Sequence, residues 1–294
     1  FPTIDPADPY RLTEEESDMV KSLMHYFLTS EKLYKHMRCM YNHGSVYLVR
    51  NSNLLYHGSM PLNEDGTLKS IRIAGDDYAG KALFDKLDKM VRQAFFEERG
   101  KPNRHTAKDI IWYLWCGPYS PQFDKEKMAT FERYFIAEKE THKEKKGYYY
   151  YLKDNKAICE MILKEFGIED SQSHIINGHI PVKTGKGESP IKAGGKLLVI
   201  DGGYSKAYQP ETGIAGYTLI YNSHGLLLIQ HQPFESTQKA IEDGDDIISE
   251  TTVVEFSNKR KLVRDTDIGA ELQKQIDDLM NLVAAYRNGL IKES

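Results

Sequence analysis

The sequence predicts an α/β protein in which a long helical segment separates two strand-rich parts. Short apolar runs precede His57 and His179, and each run stops at a turn, as expected of buried strands. Apolar residues with helical periodicity fill residues 79–166. Strand patterns resume at about residue 173 and continue to residue 256.

Capping residues predict the first helices. Residues 1–12 are rich in proline and aspartate, which is typical of an extended linker. Thr13 and Glu16 have the spacing of a capping box, so a helix is expected to begin after Thr13. Ser30 is the expected cap of a second helix that continues to about Tyr41.

A hairpin is expected next, with strands at residues 45–50 and 54–57. Asp76 and Asp77 precede a helical pattern, so we interpret them as helix-capping residues and not as a catalytic carboxylate pair. The helical segment follows. Its predicted helices are residues 81–99, 107–115, 125–142 and 155–166.

The remainder of the chain alternates strands with turns and closes with a helix. The predicted strands are residues 174–177, 196–201, 215–222, 226–232 and 250–256. The amphipathic helix is expected over residues 267–290, with its apolar side facing inward. That side carries Leu272, Ile276, Leu279, Leu282 and Val283.

Composition excludes several classes of protein. The chain has 294 residues and a net charge of −4, which argues against nucleic acid or a membrane surface as the main partner. No apolar run approaches the roughly 20 residues of a membrane helix. The 3 cysteines are widely spread and indicate reduced thiols in a cytoplasmic protein. A homo-oligomer is a possible assembly.

His57 and His179 are the leading candidates for a functional site. Each ends an apolar run and is followed by glycine or proline, and the ends of strands in α/β sheets carry ligand sites. Neutral imidazole binds zinc, iron, manganese or nickel. A single histidine in such a run is more often a hydrogen-bonded core residue. The same arrangement of an apolar run, a histidine and a turn occurs twice, and this repetition favours a metal site.

Two further features near His179 have a functional and a structural interpretation. Residues 182–196 combine lysines with glycines, so Lys183 or Lys186 could meet a substrate phosphate, although a solvated hairpin loop explains the composition equally well. Asp201 follows a strand and could orient a metal-bound histidine, or it could be an ordinary turn aspartate.

Longer strings around these histidines resemble a known enzyme family. His57-Gly58-x-x-Pro61 resembles the fourth motif of the calcineurin-like metallophosphoesterases, and Asn177-Gly178-His179 resembles the fifth. Residues 47–58, 61–66, 115–121 and 178–183 resemble the class III fructose-1,6-bisphosphatases of bacteria, and the similarity covers essentially the whole chain.

The resemblance implies a fold, a site and an activity. The implied fold is the second half of a metallophosphoesterase-type β-sandwich flanked by helices, with a helical insertion. The implied ligands of one metal ion are His57 and His179, in an intact enzyme that holds two ions, with manganese expected. The implied reaction is hydrolysis of the 1-phosphate of fructose 1,6-bisphosphate in gluconeogenesis.

The chain departs from the family pattern in one respect. The early motifs D-x-H, G-D-x-x-D-x-G and G-N-H-D/E, which supply the other metal ligands, are absent from it, and it begins at Phe1. We therefore expect the carboxyl-terminal part of a longer phosphatase, inactive by itself, which the missing amino-terminal segment would complete as a partner. The catalytic residues remain unassigned.

Two alternative functions stay open. One alternative is another metallophosphoesterase, such as a protein phosphatase. The other is a non-catalytic module that binds a phosphorylated metabolite or serves assembly. The expected parts are a linker at 1–12, core elements at 13–78, a helical insertion at 79–166 that lies beside the site as a cap or an interface, and a strand-rich remainder of the core at 167–294.

Overall fold

The fold is taken from a computed structural model that describes residues 2–98, 100–202, 204–244 and 248–291. The chain divides into two compact units between Ser45 and Val46. The predicted boundaries at residues 12, 78 and 166 stay a prediction.

The first unit contains the two helices that the capping residues predict. These are α1 (Glu14–Thr29) and α2 (Glu31–His43). The hydroxyl of Thr13 accepts a hydrogen bond from the Glu16 backbone at 3.3 Å, and the Glu16 carboxylate accepts one from the Thr13 backbone at 2.8 Å. The capping box is therefore confirmed, as is the Ser30 cap of the second helix.

The second unit contains the remaining elements. Its described strands are β1 (Tyr47–Arg50), β2 (Asn53–Tyr56), β3 (Ile71–Ile73), β4 (Asp76–Tyr78), β5 (Ile175–Asn177), β6 (Ile191–Lys192), β7 (Leu197–Val199), β8 (Gly216–Asn222), β9 (Gly225–His231) and β10 (Ser249–Phe256). Its described α-helices are α3 (Gly80–Phe96), α4 (Pro102–Cys116), α5 (Thr130–Phe135), α6 (Tyr149–Leu152), α7 (Lys156–Glu165), α8 (Gln209–Thr212), α9 (Thr237–Asp243) and α10 (Asp267–Arg287).

The main sheet has the described strand order β1-β2-β5-β7-β6. β1 and β2 form the predicted antiparallel hairpin, whose turn places Asn51 and Ser52 at positive φ, as a tight hairpin turn requires. β2, β5 and β7 are mutually parallel neighbours, with Leu55 opposite Ile176 and Asn177 opposite Val199. Their carboxyl ends therefore meet at one edge of the sheet.

A second sheet has the described order β10-β9-β8 and is antiparallel, as the predicted hairpin at residues 222–225 requires. β3 and β4 pair by themselves. The capping interpretation of Asp76 and Asp77 was wrong, because both lie in β4 and the cap of α3 is Ala79, which has no side-chain hydrogen bond to offer. Pairing with β3 satisfies this backbone instead.

Helices α3, α4 and α7 pack into the main hydrophobic core beside the sheet. Their buried residues share one cluster with the strands, and these helical members are Leu83, Phe84, Leu87, Met90, Ala94, Ala107, Ile110, Leu114, Cys159, Ile162 and Leu163. Helices α3, α4 and α7 of this range therefore belong to the core that supports the sheet edge, whereas α5 has no buried residue. The prediction of one helix over residues 125–142 was wrong for most of that range. Only α5 and a 3₁₀ turn (Lys139–His142) form there.

The prediction that the apolar side of the terminal helix faces inward was also wrong. In α10 the side chains of Leu272, Ile276, Leu279, Leu282 and Val283 are all exposed. Periodicity shows that one side of a helix is apolar and does not show what covers that side. None of the helices that the structure describes combines the length and the apolar character needed to cross a bilayer.

Candidate metal site at the carboxyl ends of the parallel strands

The sheet edge brings together three of the predicted site residues. His57 directly follows β2, His179 lies two residues beyond β5, and Asp201 lies two residues beyond β7. Because the three strands are parallel and adjacent, the residues after them lie at the same edge. Sequence reasoning predicted this edge from the turn residues that follow each apolar run.

The two imidazole rings are direct neighbours. The Nε2 atom of His57 lies 3.1 Å from Nδ1 of His179, and the ring centroids are 5.0 Å apart. Two nitrogen ligands of one ion, with bonds of about 2.1 Å at right or tetrahedral angles, are roughly 3.0–3.4 Å apart. The pair therefore fits two ligand positions of a single ion. Over the described ranges, no group of three or more His, Cys, Asp or Glu side chains is placed to hold one.

Both histidines are held in the neutral form that binds metals. Burial lowers the pKa of His57, and the nearby Asp201 carboxylate opposes this shift in part. Burial, together with the neighbouring His57 ring and the charge of Lys125, lowers the pKa of His179 to about 4. A neutral ring presents one lone pair to a cation, so at neutral pH each ring has a nitrogen available as a ligand.

A tight turn fixes the direction of the His179 ring. Its φ is 69°, and the Ile180 backbone donates to the Gly178 carbonyl at 2.9 Å, so His179 is the centre of a three-residue turn. Such a conformation is rare for a residue with a side chain and concentrates at functional sites. The Gly178 backbone also donates to the His57 carbonyl at 2.9 Å, which links the two histidine loops directly.

The buried side chain of Asn177 also connects elements near the two histidines. Its Nδ2 donates to the Gly58 carbonyl at 2.9 Å and to the hydroxyl of Tyr149 at 2.6 Å. The Tyr56 hydroxyl donates to the same Tyr149 oxygen at 2.9 Å. Asn177 and both tyrosines are buried. The position of the histidines is therefore set by a buried polar network and not by the loops alone.

The loop after α4 forms one wall of the site. The Ser59 backbone donates to the Pro121 carbonyl at 2.8 Å, and a side chain on Gly58 would come within 2.8 Å of that oxygen. The Phe123 ring lies 6.4 Å from the His179 ring, and His179 also forms a hydrogen bond with the Phe123 backbone. The family resemblance includes residues 115–121 but assigns them no role, and no sequence pattern marked Phe123.

Asp124, the next residue, is a buried carboxylate that sequence reasoning missed. Its side chain is buried, its φ is 44°, and Oδ2 has no hydrogen-bond partner among the described residues. Burial raises its pKa to about 6, against the opposing effects of the Ser59 hydroxyl and the Lys69 charge. Other buried polar atoms without a described partner are the hydroxyls of Tyr113 and Tyr150, the Oδ1 atom of Asn177 and the Oε2 atom of Glu97.

The predicted phosphate-binding lysines are less directly connected to the histidines. The Nζ atom of Lys183 forms an ion pair with Glu211 at 3.0 Å, and Lys186 also acts electrostatically on that carboxylate. Asp201 is nearer to the site: a methyl group on Gly178 would lie 3.4 Å from its Cβ. The functional roles of these residues, and of the two histidines as ligands, stay predictions.

Comparison with known proteins identifies the family. The sequence profile of the Firmicute fructose-1,6-bisphosphatases matches residues 1–288. The chain belongs to this family. The Firmicute fructose-1,6-bisphosphatase family is the one that the motifs around both histidines resemble, so the predicted kinship is confirmed. No solved structure matches the chain.

Individual relatives in the fructose-1,6-bisphosphatase family are similar along the whole chain. The class 3 fructose-1,6-bisphosphatase of Bacteroides fragilis is 63% identical over 293 residues, which are 100% of this chain and 44% of that protein. The class 3 enzymes of Bacteroides thetaiotaomicron and Clostridium novyi are 61% and 60% identical, with the same coverage of 100% and 44%. The chain thus spans less than half the length of these curated relatives.

Proposed function

We propose that this chain forms part of a metal-dependent phosphatase that hydrolyses fructose 1,6-bisphosphate to fructose 6-phosphate and phosphate, a reaction of gluconeogenesis. The observation that carries the proposal is the 3.1 Å separation of the His57 and His179 ring nitrogens at the carboxyl ends of parallel strands. Membership of the fructose-1,6-bisphosphatase family supplies the substrate. The comparison covers only part of each relative, so the activity is proposed for the whole protein.

In this proposal His57 and His179 are two ligands of one divalent ion. A metal at such a site activates water and stabilises the charge that develops on phosphoryl oxygens. Manganese is proposed from the resemblance, as are two ions in the intact enzyme, because imidazole alone serves several metals. The chain's own contribution is to keep both rings neutral, to fix their separation and to support them on the Asn177–Tyr149 network.

Asp201 is proposed to orient His57. Its carboxylate acts on the His57 ring and opposes the effect of burial on the pKa of that ring. A carboxylate beside a ligating histidine fixes the ring orientation and strengthens its nitrogen as a ligand. Lys183 and Lys186 are proposed to meet the second phosphate of the substrate, as their position in the loop after His179 suggests.

We also propose a cytoplasmic location and a homo-oligomeric assembly for the enzyme. Cys39, Cys116 and Cys159 are free thiols, which supports a cytoplasmic protein. A homo-oligomer is proposed as the assembly. The separate 294-residue chain is proposed to be inactive, because the resemblance assigns the remaining metal ligands to motifs that are absent from it.

The test uses the full protein encoded by the gene and three histidine variants. Metal content after dialysis against manganese and phosphate release from fructose 1,6-bisphosphate are measured for His57→Ala, His179→Ala and the control His174→Ala. His174 is a buried histidine whose ring contacts Gly195 and Glu255. We expect the first two variants to lose metal and at least 100-fold in kcat, and the control to retain both properties.

Retention of metal and full turnover by His179→Ala would refute the metal-ligand role. Metal binding without hydrolysis of any phosphate ester would favour the non-catalytic module, and preference for a phosphoprotein over the sugar bisphosphate would favour a protein phosphatase. The separate chain is tested alongside the full protein, and robust hydrolysis by it would contradict its proposed inactivity.

A further inference from the structure

Two lysines flank the Tyr150 ring, and the charge of a third, Lys192, acts on one of them. The Nζ atoms of Lys146 and Lys153 lie 5.8 Å and 5.5 Å from the centroid of the Tyr150 ring. Lys192 is brought beside Lys153 because Asp154, the next residue, accepts a hydrogen bond from Ala193 at 2.6 Å. These three lysines are called the Tyr150 lysine cluster below.

The cluster has a surplus of positive charge. Among the residues that the structure describes, no carboxylate forms an ion pair with any of the three ammonium groups. The two carboxylates that act on Lys153 are engaged in other hydrogen bonds, since Asp154 accepts from the Ala193 backbone at 2.6 Å and Glu188 accepts from the Lys183 backbone at 3.0 Å. This contrasts with Lys183, whose charge is already paired with Glu211.

The surplus charge destabilises the protonated form of the central lysine. Burial of its side chain, followed by the charges of Lys192 and Lys146, lowers the pKa of Lys153 to about 8, while Glu188 and Asp154 only partly oppose this. Keeping like charges together in a half-buried place costs free energy unless a counterion binds there. The arrangement is therefore that of a site made for an anion.

We propose that Lys146, Lys153 and Lys192 bind the phosphate group of a small phosphorylated metabolite, with the Tyr150 ring as one wall of the site. A phosphate monoester carries close to two negative charges at neutral pH, which matches three ammonium groups better than a carboxylate does. Lysine binds phosphate as a point charge and needs no planar geometry.

The phosphate could come from two sources that share this chemistry. One source is the second phosphate of the sugar bisphosphate, in which case the cluster takes the role proposed above for Lys183 and Lys186, and the other is a separate phosphorylated compound. Contacts connect the cluster to the histidines: the Tyr150 ring packs on Tyr149 at a centroid distance of 5.7 Å, and the Tyr149 hydroxyl accepts from Asn177. The first source rests on the proposed function, and the second does not.

The binding test needs no activity. Inorganic phosphate is titrated calorimetrically into the full protein after removal of metals by EDTA, at constant ionic strength. Lys153→Met and Lys192→Met are compared with the control Lys156→Met, whose exposed ammonium lies 3.7 Å from Glu160 on the same helix. We expect about tenfold to hundredfold weaker phosphate binding in each cluster variant and unchanged binding in the control.

A second measurement separates binding from folding. Loss of an unpaired half-buried charge should leave the melting temperature of Lys153→Met equal or higher without phosphate, whereas a lysine with a purely structural role would lower it. Should a variant fail to fold, the lysine signals of the reductively ¹³C-methylated wild-type protein are followed during phosphate titration. Phosphate affinity that is the same in both cluster variants and wild type, or unshifted Lys153 and Lys192 signals, would overturn the site.

The source is then assigned by kinetics. If KM for the bisphosphate rises in Lys153→Met while KM for a small monophosphate ester stays constant, the cluster binds the second phosphate of the substrate. If both KM values stay constant while phosphate binding is lost, the cluster binds a separate metabolite. Failure of the proposed hydrolysis would leave the calorimetric result intact, so the two proposals are tested separately.

Discussion

The carboxylate of Asp124 lies against the α-carbon of Gly147, so that a methyl group on this glycine would overlap both carboxylate oxygens. The Gly147 backbone also donates to the Asp124 carbonyl at 2.7 Å. The loop that forms one wall of the histidine site is thus held against the start of the tyrosine-rich helix α6 at a point where only glycine fits.

Gly147→Ala should therefore be destabilising. Overpacking of a buried contact costs about 1–3 kcal/mol, and we expect a loss of this size in the free energy of unfolding measured with urea. The control is Gly185→Ala, where the nearest atom to a new methyl group is 3.8 Å away. An unchanged unfolding free energy for Gly147→Ala would show that the Asp124 loop moves freely, contrary to this packing.

Asp124 should make stability depend on pH. Its pKa is raised in the folded protein to about 6 from 3.8, so the folded state holds the proton more tightly than the unfolded state does. The free energy of unfolding should then fall as the pH rises from about 4 to about 6, by at most about 3 kcal/mol from this group. The groups that act on Asp124, or on which it acts, are Ser59, Lys69, Tyr56, Tyr113 and Tyr150.

Asp124→Asn tests this dependence, because asparagine keeps the shape and does not ionise. Chemical unfolding of both proteins is measured at several pH values between 4 and 7. The stability of the variant relative to wild type should increase with pH across this interval and become constant above about pH 7. A difference that is independent of pH would mean that Asp124 is ionised in the fold throughout.

His174→Ala should lower stability without touching the metal site. Its ring is buried, contacts the Gly195 carbonyl at 2.7 Å and lies 3.3 Å from Glu255. Loss of these contacts should cost about 1–3 kcal/mol, measured by urea unfolding. Glu255 keeps its ion pair with Lys261 at 3.2 Å, which limits the effect. Loss of bound manganese in this variant would indicate that the His174 region supports the ligands indirectly.

Lys183→Ala and Lys186→Ala should raise KM for the bisphosphate more than for a small monophosphate ester if they meet the second phosphate. Loss of one such contact corresponds to about 1.5–3 kcal/mol, or roughly tenfold to hundredfold. The structure adds a sharper variant, Glu211→Gln, which releases Lys183 from its ion pair and should lower KM. Equal KM values in all three variants would assign this loop a structural role.

The same variants should scarcely affect stability. The Lys183–Glu211 pair is exposed, and pairs of this kind contribute about 0–1 kcal/mol. The urea midpoint of Glu211→Gln should therefore match that of wild type. A marked decrease would show that the ion pair holds the loop in place, which would make the KM comparison a measure of loop order.

Much of the sheet edge could be predicted from the sequence. The apolar runs before His57 and His179 marked strands, and the residues after them marked turns, so the meeting of the two rings followed from parallel pairing. Asp124 and Phe123 could not be found in this way, because no local periodicity marks a loop residue whose neighbours come from β2, α4 and α6. Their importance arises only when distant segments pack together.

The errors have a related physical cause. Asp76 and Asp77 have the residue type of a helix cap, yet pairing with β3 outweighed that local preference. The apolar side of α10 was expected to be covered, although amphipathic spacing carries no information about what covers a helix. Local patterns therefore predicted the existence of most elements and failed where tertiary contacts decided between alternatives.

The two histidine rings also connect ligand occupancy to folding of the whole second unit. His57 and His179 are 122 positions apart, and they meet only when β2 and β5 have paired around the entire helical segment between them. A ligand that needs both rings binds the folded state and not the unfolded state. At a free ligand concentration of 100 times its Kd, it would therefore add about 2.7 kcal/mol to the free energy of unfolding. Depletion of that ligand would therefore lower the free energy of unfolding of the sheet. The ligand would act as a reversible cross-link between two strands that are far apart in the sequence.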